Sequence, residues 1–175
     1  NQPSPGRIRT AADRGIKTII NLRGPRADGG WRLEAEACAK YGLTLMDFTT
    51  RSRAAPDKQM LHAAEALFTE MNLPAVMHCK SGADRAGLMS ALYMLVAEKR
   101  PAREAARQLA WKYGHVKQAK TGLLDVFFKA YFPYEDQGMD FYDWVDNVYD
   151  PEAMLAEFRS QGWADRLIDS VLRRE

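Results

Sequence analysis

A cysteine with an arginine six positions later, set between a strand-like and a helix-like stretch, constrains this chain more than any other feature. The residues are His78-Cys79-Lys80-Ser81-Gly82-Ala83-Asp84-Arg85-Ala86-Gly87. Before them, Pro74-Ala75-Val76-Met77-His78 is a short apolar run of strand type; after them, Leu88, Leu92 and Leu95 recur at helical spacing. A strand therefore delivers Cys79 to the base of a loop whose backbone N–H groups turn inward. The new helix aims its positive end at the same point. Gly82 lets the loop turn, and Lys80, Ser81, Gly82, Ala83, Asp84 and Arg85 form a cradle of the kind that holds phosphate. Helix N-termini and nearby cations lower cysteine pKa values from about 8.5 to roughly 3.5–7.5. Cys79, flanked by Lys80 and closed in by Arg85, is thus expected to be largely thiolate at neutral pH, and Arg85 adds a planar fork for two phosphoryl oxygens. Most free cysteines are simply small buried apolar residues, but that alternative explains neither the arginine spacing nor the glycine nor the strand-to-helix context.

These residues resemble the His-Cys-x5-Arg signature of cysteine-dependent protein tyrosine and dual-specificity phosphatases. They are most similar to the bacterial and atypical fungal or plant branches, which carry Gly-x-Asp-Arg in the loop. Upstream, Gly15-Ile16-Lys17-Thr18-Ile19-Ile20-Asn21-Leu22-Arg23 is similar to the Gly-Ile-Lys-Thr-Val-Ile-Asn-Leu-Arg strand of those atypical phosphatases. Asn1-Gln2-Pro3-Ser4-Pro5 resembles the Gln-Pro-Ser that opens their preceding helix. The likeness covers the chain to about residue 100 and carries no quotable signature beyond it.

The resemblance implies hydrolysis of a phosphate monoester in two steps without a metal or other cofactor. Cys79 attacks phosphorus to form a cysteinyl-phosphate, which water then cleaves, while Arg85 and the loop amides hold the equatorial oxygens. His78 takes the place of a histidine that orients the loop and supports the thiolate in that family. A general acid is harder to identify, because the family's usual acid loop falls here near Arg51 and Ser52, neither of them acidic. Asp84, inside the loop beside Arg85, is the better candidate and resembles the loop aspartate that serves as the proposed acid in myotubularin-like and related bacterial phosphatases; its alternative role is to anchor the loop by hydrogen bonds. Asp57 is the other candidate, and its position after Pro56 equally suits a helix cap. The chain departs from the family at two positions. Ala86 replaces a serine or threonine that assists the second step, and Ala83 stands where related bacterial enzymes often have lysine, which weakens a phosphoinositide reading.

The elements alternate for the first hundred residues. Helices at residues 4–14, 31–41 and 57–70 separate strands at 17–22, 43–48 and 74–78, with Met60, Ala64 and Leu67 on one face of the third helix. That order predicts an α/β fold of tyrosine or dual-specificity phosphatase type: a mostly parallel central sheet flanked by helices, with its site at the carboxyl ends of the strands. Cys79, Arg23 and the 49–56 loop fall at such ends. The second half reads as helices over 86–98, 101–113, with Pro101 at the start and Gly114 just past the end, and 116–131. From about 134 a helical extension mixes Tyr134, Phe141, Tyr142, Trp144 and Tyr149 with Glu135 and five aspartates. Apolar stripes at helical spacing are usually core, so these aromatics are expected to pack inward with their carboxylates in solvent.

At 175 residues, with no repeat and no linker-like segment, the chain is expected to be one domain. A net charge of +2, with basic residues dispersed, argues against a nucleic-acid partner. Only two cysteines occur, and pairing Cys38 with Cys79 would consume the proposed nucleophile, so a reducing, cytoplasmic compartment is expected, with Cys38 as packing. No apolar run reaches the roughly eighteen residues of a membrane span. The chain starts at Asn1 without methionine, which leaves room for a removed leader or anchor. His62 and His115 have no context comparable to that of His78. The expected partner is a phosphorylated protein or a small phosphorylated substrate, and phosphate or sulfate is expected to bind in the loop. Three function classes follow: a protein phosphatase, the same chemistry on a lipid or inositol phosphate, and a catalytically weak phosphate-binding module. A rhodanese-type sulfurtransferase is more distant, since its loop typically lacks this spacing to arginine.

Overall fold

The computed structural model describes residues 1–51, 53–115 and 122–160. Three parallel strands form the centre: β1 (Thr18–Asn21), β2 (Thr44–Asp47) and β3 (Ala75–His78), in the order β2-β1-β3. Thr18 pairs with Thr44 on one side and Ala75 on the other, and the register runs on to Asn21 opposite Asp47 and His78. All four residues of β1 are buried, as a central strand covered on both faces requires. Its alternating side chains serve two cores. Ile19 packs with Ile8, Ala37, Cys38 and Leu43, whereas Ile20 faces Leu61, Leu88 and Leu92.

The first core lies under α1 (Pro5–Asp13) and α2 (Gly29–Tyr41), the second under α3 (Lys58–Glu70) and α4 (Asp84–Val96). Asp28 caps α2 by accepting from the Trp31 N–H at 2.9 Å, and Gly42 ends it in the left-handed conformation. Residues Leu61, Ala64, Leu67 and Phe68 form the buried face of α3; Met60 is only half-buried at its margin. Helix α4 is apolar nearly all round because it is enclosed, with Leu88, Met89, Ala91, Leu92, Leu95 and Val96 buried.

The expected helix over 101–113 is broken. Only Ala102–Ala105 is α-helical (α5), and 3-10 turns follow at Ala106–Gln108 and Trp111–Tyr113. The cause is packing against α4: a Cβ on Gly87 would stand 3.1 Å from both the Gln108 carbonyl oxygen and Leu109 Cδ2. Burying Leu109 in that notch takes it out of helical geometry, at φ −89° and ψ 71°. Gly114, at φ +83°, ends the second turn as its position suggests. The helix expected over 116–131 falls partly outside the described residues, and its described part is α6 (Leu123–Glu135).

Helix α7 (Phe141–Asn147) and helical residues 151–160 complete the described chain. The aromatics of this extension do turn inward. Trp144 lies 5.6 Å from Phe127 and stacks on Tyr149 at 4.9 Å between ring centroids. Each such side chain contributes roughly 1.5–3 kcal/mol by leaving water. Two hydroxyls tie the extension to α3 and the loop before it: Tyr142 donates to the Leu61 carbonyl at 3.2 Å and Tyr149 to the Pro56 carbonyl at 2.8 Å. No helix among the described residues is long and apolar enough to cross a membrane.

Candidate active site

Strand β3 ends at His78, and the chain then turns through residues 79–83 into α4. Cys79 is 1% exposed, at the base of the turn, and its sulfur accepts a hydrogen bond from the Gly82 N–H at 3.2 Å. Gly82 reaches this position at φ +80°, a conformation that side chains disfavour. Burial by itself would push the Cys79 thiol up. The backbone N–H groups of Ala86, Gly82 and Ser81, with the charge of Arg85, outweigh it and leave the thiol below its ordinary pKa. The contrast with Cys38 is direct: burial, and then the negative charge of Glu34, push that thiol up to about 11.

Lys80 and Ser81 are exposed at the rim, Ala83 is buried, and Arg85 is half-buried. Arg85 faces a cleft of about 440 Å³ with Thr50, Arg51, Arg53 and Ala54. Thr50, Arg51 and Ala54 also line an adjoining cleft of about 400 Å³, whose wall includes Asp57 and Glu152. Asp57 caps α3, its Oδ1 accepting from the Met60 N–H at 2.8 Å, and its side chain remains exposed.

His78 is buried, and its Nε2 contacts Oε1 of Glu34 on α2. Its Nδ1 has no hydrogen-bond partner among the described residues. Glu34, itself fully buried, also accepts from Gln2 Nε2 at 3.3 Å, and Gln2 Oε1 accepts from Arg23 Nη1. Arg23 reaches Asp28 at 3.6 Å as well, so it is engaged beside the loop. The Gln-Pro-Ser segment, Arg23 just past β1, Glu34 and His78 therefore form one network. Sequence reading missed Glu34, although its spacing to the buried Ala37 and Cys38 sets it on the inward face of α2.

Asp84 opens α4 with its carboxylate on His115: Oδ1 lies 2.8 Å from Nδ1. The other ring nitrogen, Nε2, lies 2.6 Å from Oδ2 of Asp125 on α6. The His115 ring is wholly buried, which corrects the expectation that this residue has no special context. Nothing in the sequence pattern links it to Asp84; tertiary folding alone brings them together. His62, by contrast, is an exposed residue that stacks on Tyr142 and contacts Asp146 at 2.8 Å. Among the described residues no group of three His, Cys, Asp or Glu side chains is arranged to hold a metal ion.

Several solved structures share the fold. TpbA of P. aeruginosa superposes with a TM-score of 0.57 at 18% identity, over 73% of this chain and 75% of that one. A further TpbA structure, in complex with pTyr, gives 0.56 at 17% identity, over 73% and 74%. A putative phosphatase from Neisseria meningitidis gives 0.53 at 22% identity, over 72% of this chain and 89% of its own. No curated protein sequence matches the chain. Residues 2–121, more than half of the chain and including the whole loop, match the family described as "PTP-SAK: Swiss Army Knife protein, DSP-PTPase phosphatase domain". The chain thus belongs to the DSP-PTPase phosphatase-domain family.

Proposed function

We propose that this protein hydrolyses phosphate monoesters on proteins, phosphotyrosine first and phosphoserine or phosphothreonine next, through a cysteinyl-phosphate on Cys79. The observation that carries the reading is the Cys79 sulfur: buried, yet surrounded by enough N–H groups and positive charge to favour the thiolate. In the first step the thiolate forms an S–P bond as the ester P–O bond breaks, while the loop amides and Arg85 hold the equatorial oxygens. Asp57 gives its proton to the departing oxygen. We choose it over Asp84, which the sequence favours, because its cleft adjoins that of Arg85 while Asp84 is engaged by His115. In the second step water attacks phosphorus, losing a proton to Asp57, and the S–P bond breaks to release phosphate and thiolate. Ala86 supplies a backbone N–H to the sulfur but no hydroxyl to assist its departure, so the second step is expected to be the slower. The pTyr complex of TpbA, which shares the fold, supports phosphotyrosine as the leading substrate class.

The test is turnover of an aryl phosphate by wild type and Cys79→Ser. The wild type should release a burst of phenol before a slower steady state, and the serine variant, with a hydroxyl of ordinary pKa, should release none. Undiminished turnover by Cys79→Ser would remove the cysteine from the mechanism. Phosphopeptides should then be cleaved in preference to inositol phosphates; the reverse order would reassign the substrate class.

A further inference from the structure

His115 sits at the meeting of three segments. Gly114 brings it against the loop, for a Cβ at Gly114 would lie 3.6 Å from the Ala83 Cβ. From there its ring reaches Asp84 on α4 and Asp125 on α6, both within hydrogen-bond distance. Each nitrogen-to-oxygen contact needs one hydrogen. An imidazolium between two carboxylates satisfies both contacts, and so does a neutral imidazole with one protonated carboxyl. Both ring nitrogens are thus committed to carboxylate oxygens, and the Asp84 carboxylate is turned toward the buried His115 ring behind the loop.

Asp84 makes this arrangement consequential. It precedes Arg85 in the first turn of α4, whose N-terminal end faces the loop, and a carboxylate free to turn into that loop would repel a phosphoryl group where the backbone and Arg85 attract it. We propose that His115 is a positioning residue: it holds the Asp84 carboxylate out of the anion site, so that the helix end and Arg85 face the phosphoryl group unopposed. Asp125 supports it from α6 by fixing the ring through the other nitrogen. The inference rests on the reading that residues 79–85 receive a phosphoryl group, and it adds a residue 30 positions beyond Arg85 to that site.

The test measures inorganic phosphate binding by calorimetry, which does not depend on turnover. His115→Ala should bind phosphate about ten- to a hundredfold more weakly than wild type, the effect of one extra negative charge within several ångströms. Adding Asp84→Asn to that variant should restore binding to within about threefold, because the repelling charge is gone. If His115 served only to hold the fold, the second substitution would not restore binding, and that result overturns the inference. Two conservative variants keep the test sound should alanine unfold the chain. His115→Asn retains an amide nitrogen near the Nδ1 position and should bind phosphate nearly as wild type does. His115→Gln retains the contact to Asp125 but not that to Asp84 and should bind as weakly as His115→Ala. Equal binding by asparagine and glutamine variants with matched melting curves overturns the proposal. A wild type that binds no phosphate overturns the anion-site reading itself, and this inference with it.

Discussion

Two buried histidines bracket the loop, one at its strand end and one at its helix end, and each is held by carboxylates from another element. His78 meets Glu34 of α2; His115 meets Asp84 of α4 and Asp125 of α6. They differ in how they reach the loop. His78 is covalently next to Cys79, so its contact with Glu34 acts on the sulfur through one stretch of backbone. His115 acts through a side chain, and its effect falls on the charge facing the anion site. The strand end is therefore a matter of rigidity and the helix end one of electrostatics. A carboxylate with a histidine partner cannot be given a role until its distance from the reacting atoms, and the element it rides on, are known.

The largest expected effect would break the comparison if it came out reversed. With Asp84 as an anchor and Asp57 as the acid, Asp57→Asn should slow an alkyl phosphate by about 10²–10⁴-fold and largely spare a nitrophenyl ester, whose leaving group needs no proton. Asp84→Asn should change both esters alike. Stability should be little affected in Asp57→Asn, since asparagine caps α3 as well as aspartate does. Leaving-group dependence in Asp84→Asn instead would make the helix end catalytic. At the strand end, Glu34→Ala should cost about 1–3 kcal/mol in urea unfolding, because it leaves a buried imidazole nitrogen without its hydrogen-bond partner. A loss below about 1 kcal/mol, the scale of an exposed pair, would mean that His78 is held by the backbone alone.

A smaller effect sharpens the contrast between the two thiols. With its folded-state pKa below the unfolded value, Cys79 holds no proton in a window where the unfolded chain still does. Its contribution to stability therefore rises with pH across that window, is fully present above the unfolded thiol value of about 8.5, and is lost as pH falls through the folded value. Cys38, pushed up to about 11, behaves in the opposite sense. Iodoacetamide labelling read by mass spectrometry should modify Cys79 with a midpoint below about 8.5 and leave Cys38 intact through about pH 9. Equal labelling of both cysteines at neutral pH would show that the loop amides do not favour the Cys79 thiolate.

Much of this arrangement is legible in the sequence. The alternation of apolar runs with capped helical stretches predicted the three strands to within a residue or two at each end, because burial on both faces of β1 leaves a continuous apolar signature. Asp57 and Gly42 were readable as helix boundaries, since capping is local chemistry. The 101–113 stretch was not. Its propensities are helical, and the break at Leu109 arises from the notch that Gly87 leaves in α4, a neighbour no window of sequence contains. Glu34 lay between these cases: its periodicity marks it as buried, but the identity of its partner is a tertiary fact.

What the sequence by itself determined is the loop, from Cys79 through Arg85, because a strand, a glycine turn and a helix start are local events that together aim backbone N–H groups at one point. Only the tertiary structure decided where the carboxylates stand relative to that point. Asp84 and Asp57 are chemically the same group, each near a helix start, and local pattern does not show which of them is engaged by another side chain. The distinction comes from His115, brought to Asp84 by the broken chain after α5, and from Tyr149, which holds the Pro56 carbonyl beside Asp57 from far along the chain. Long-range packing fixes such distances because it closes loops of tens of residues at once, and sequence spacing carries no record of which loops close.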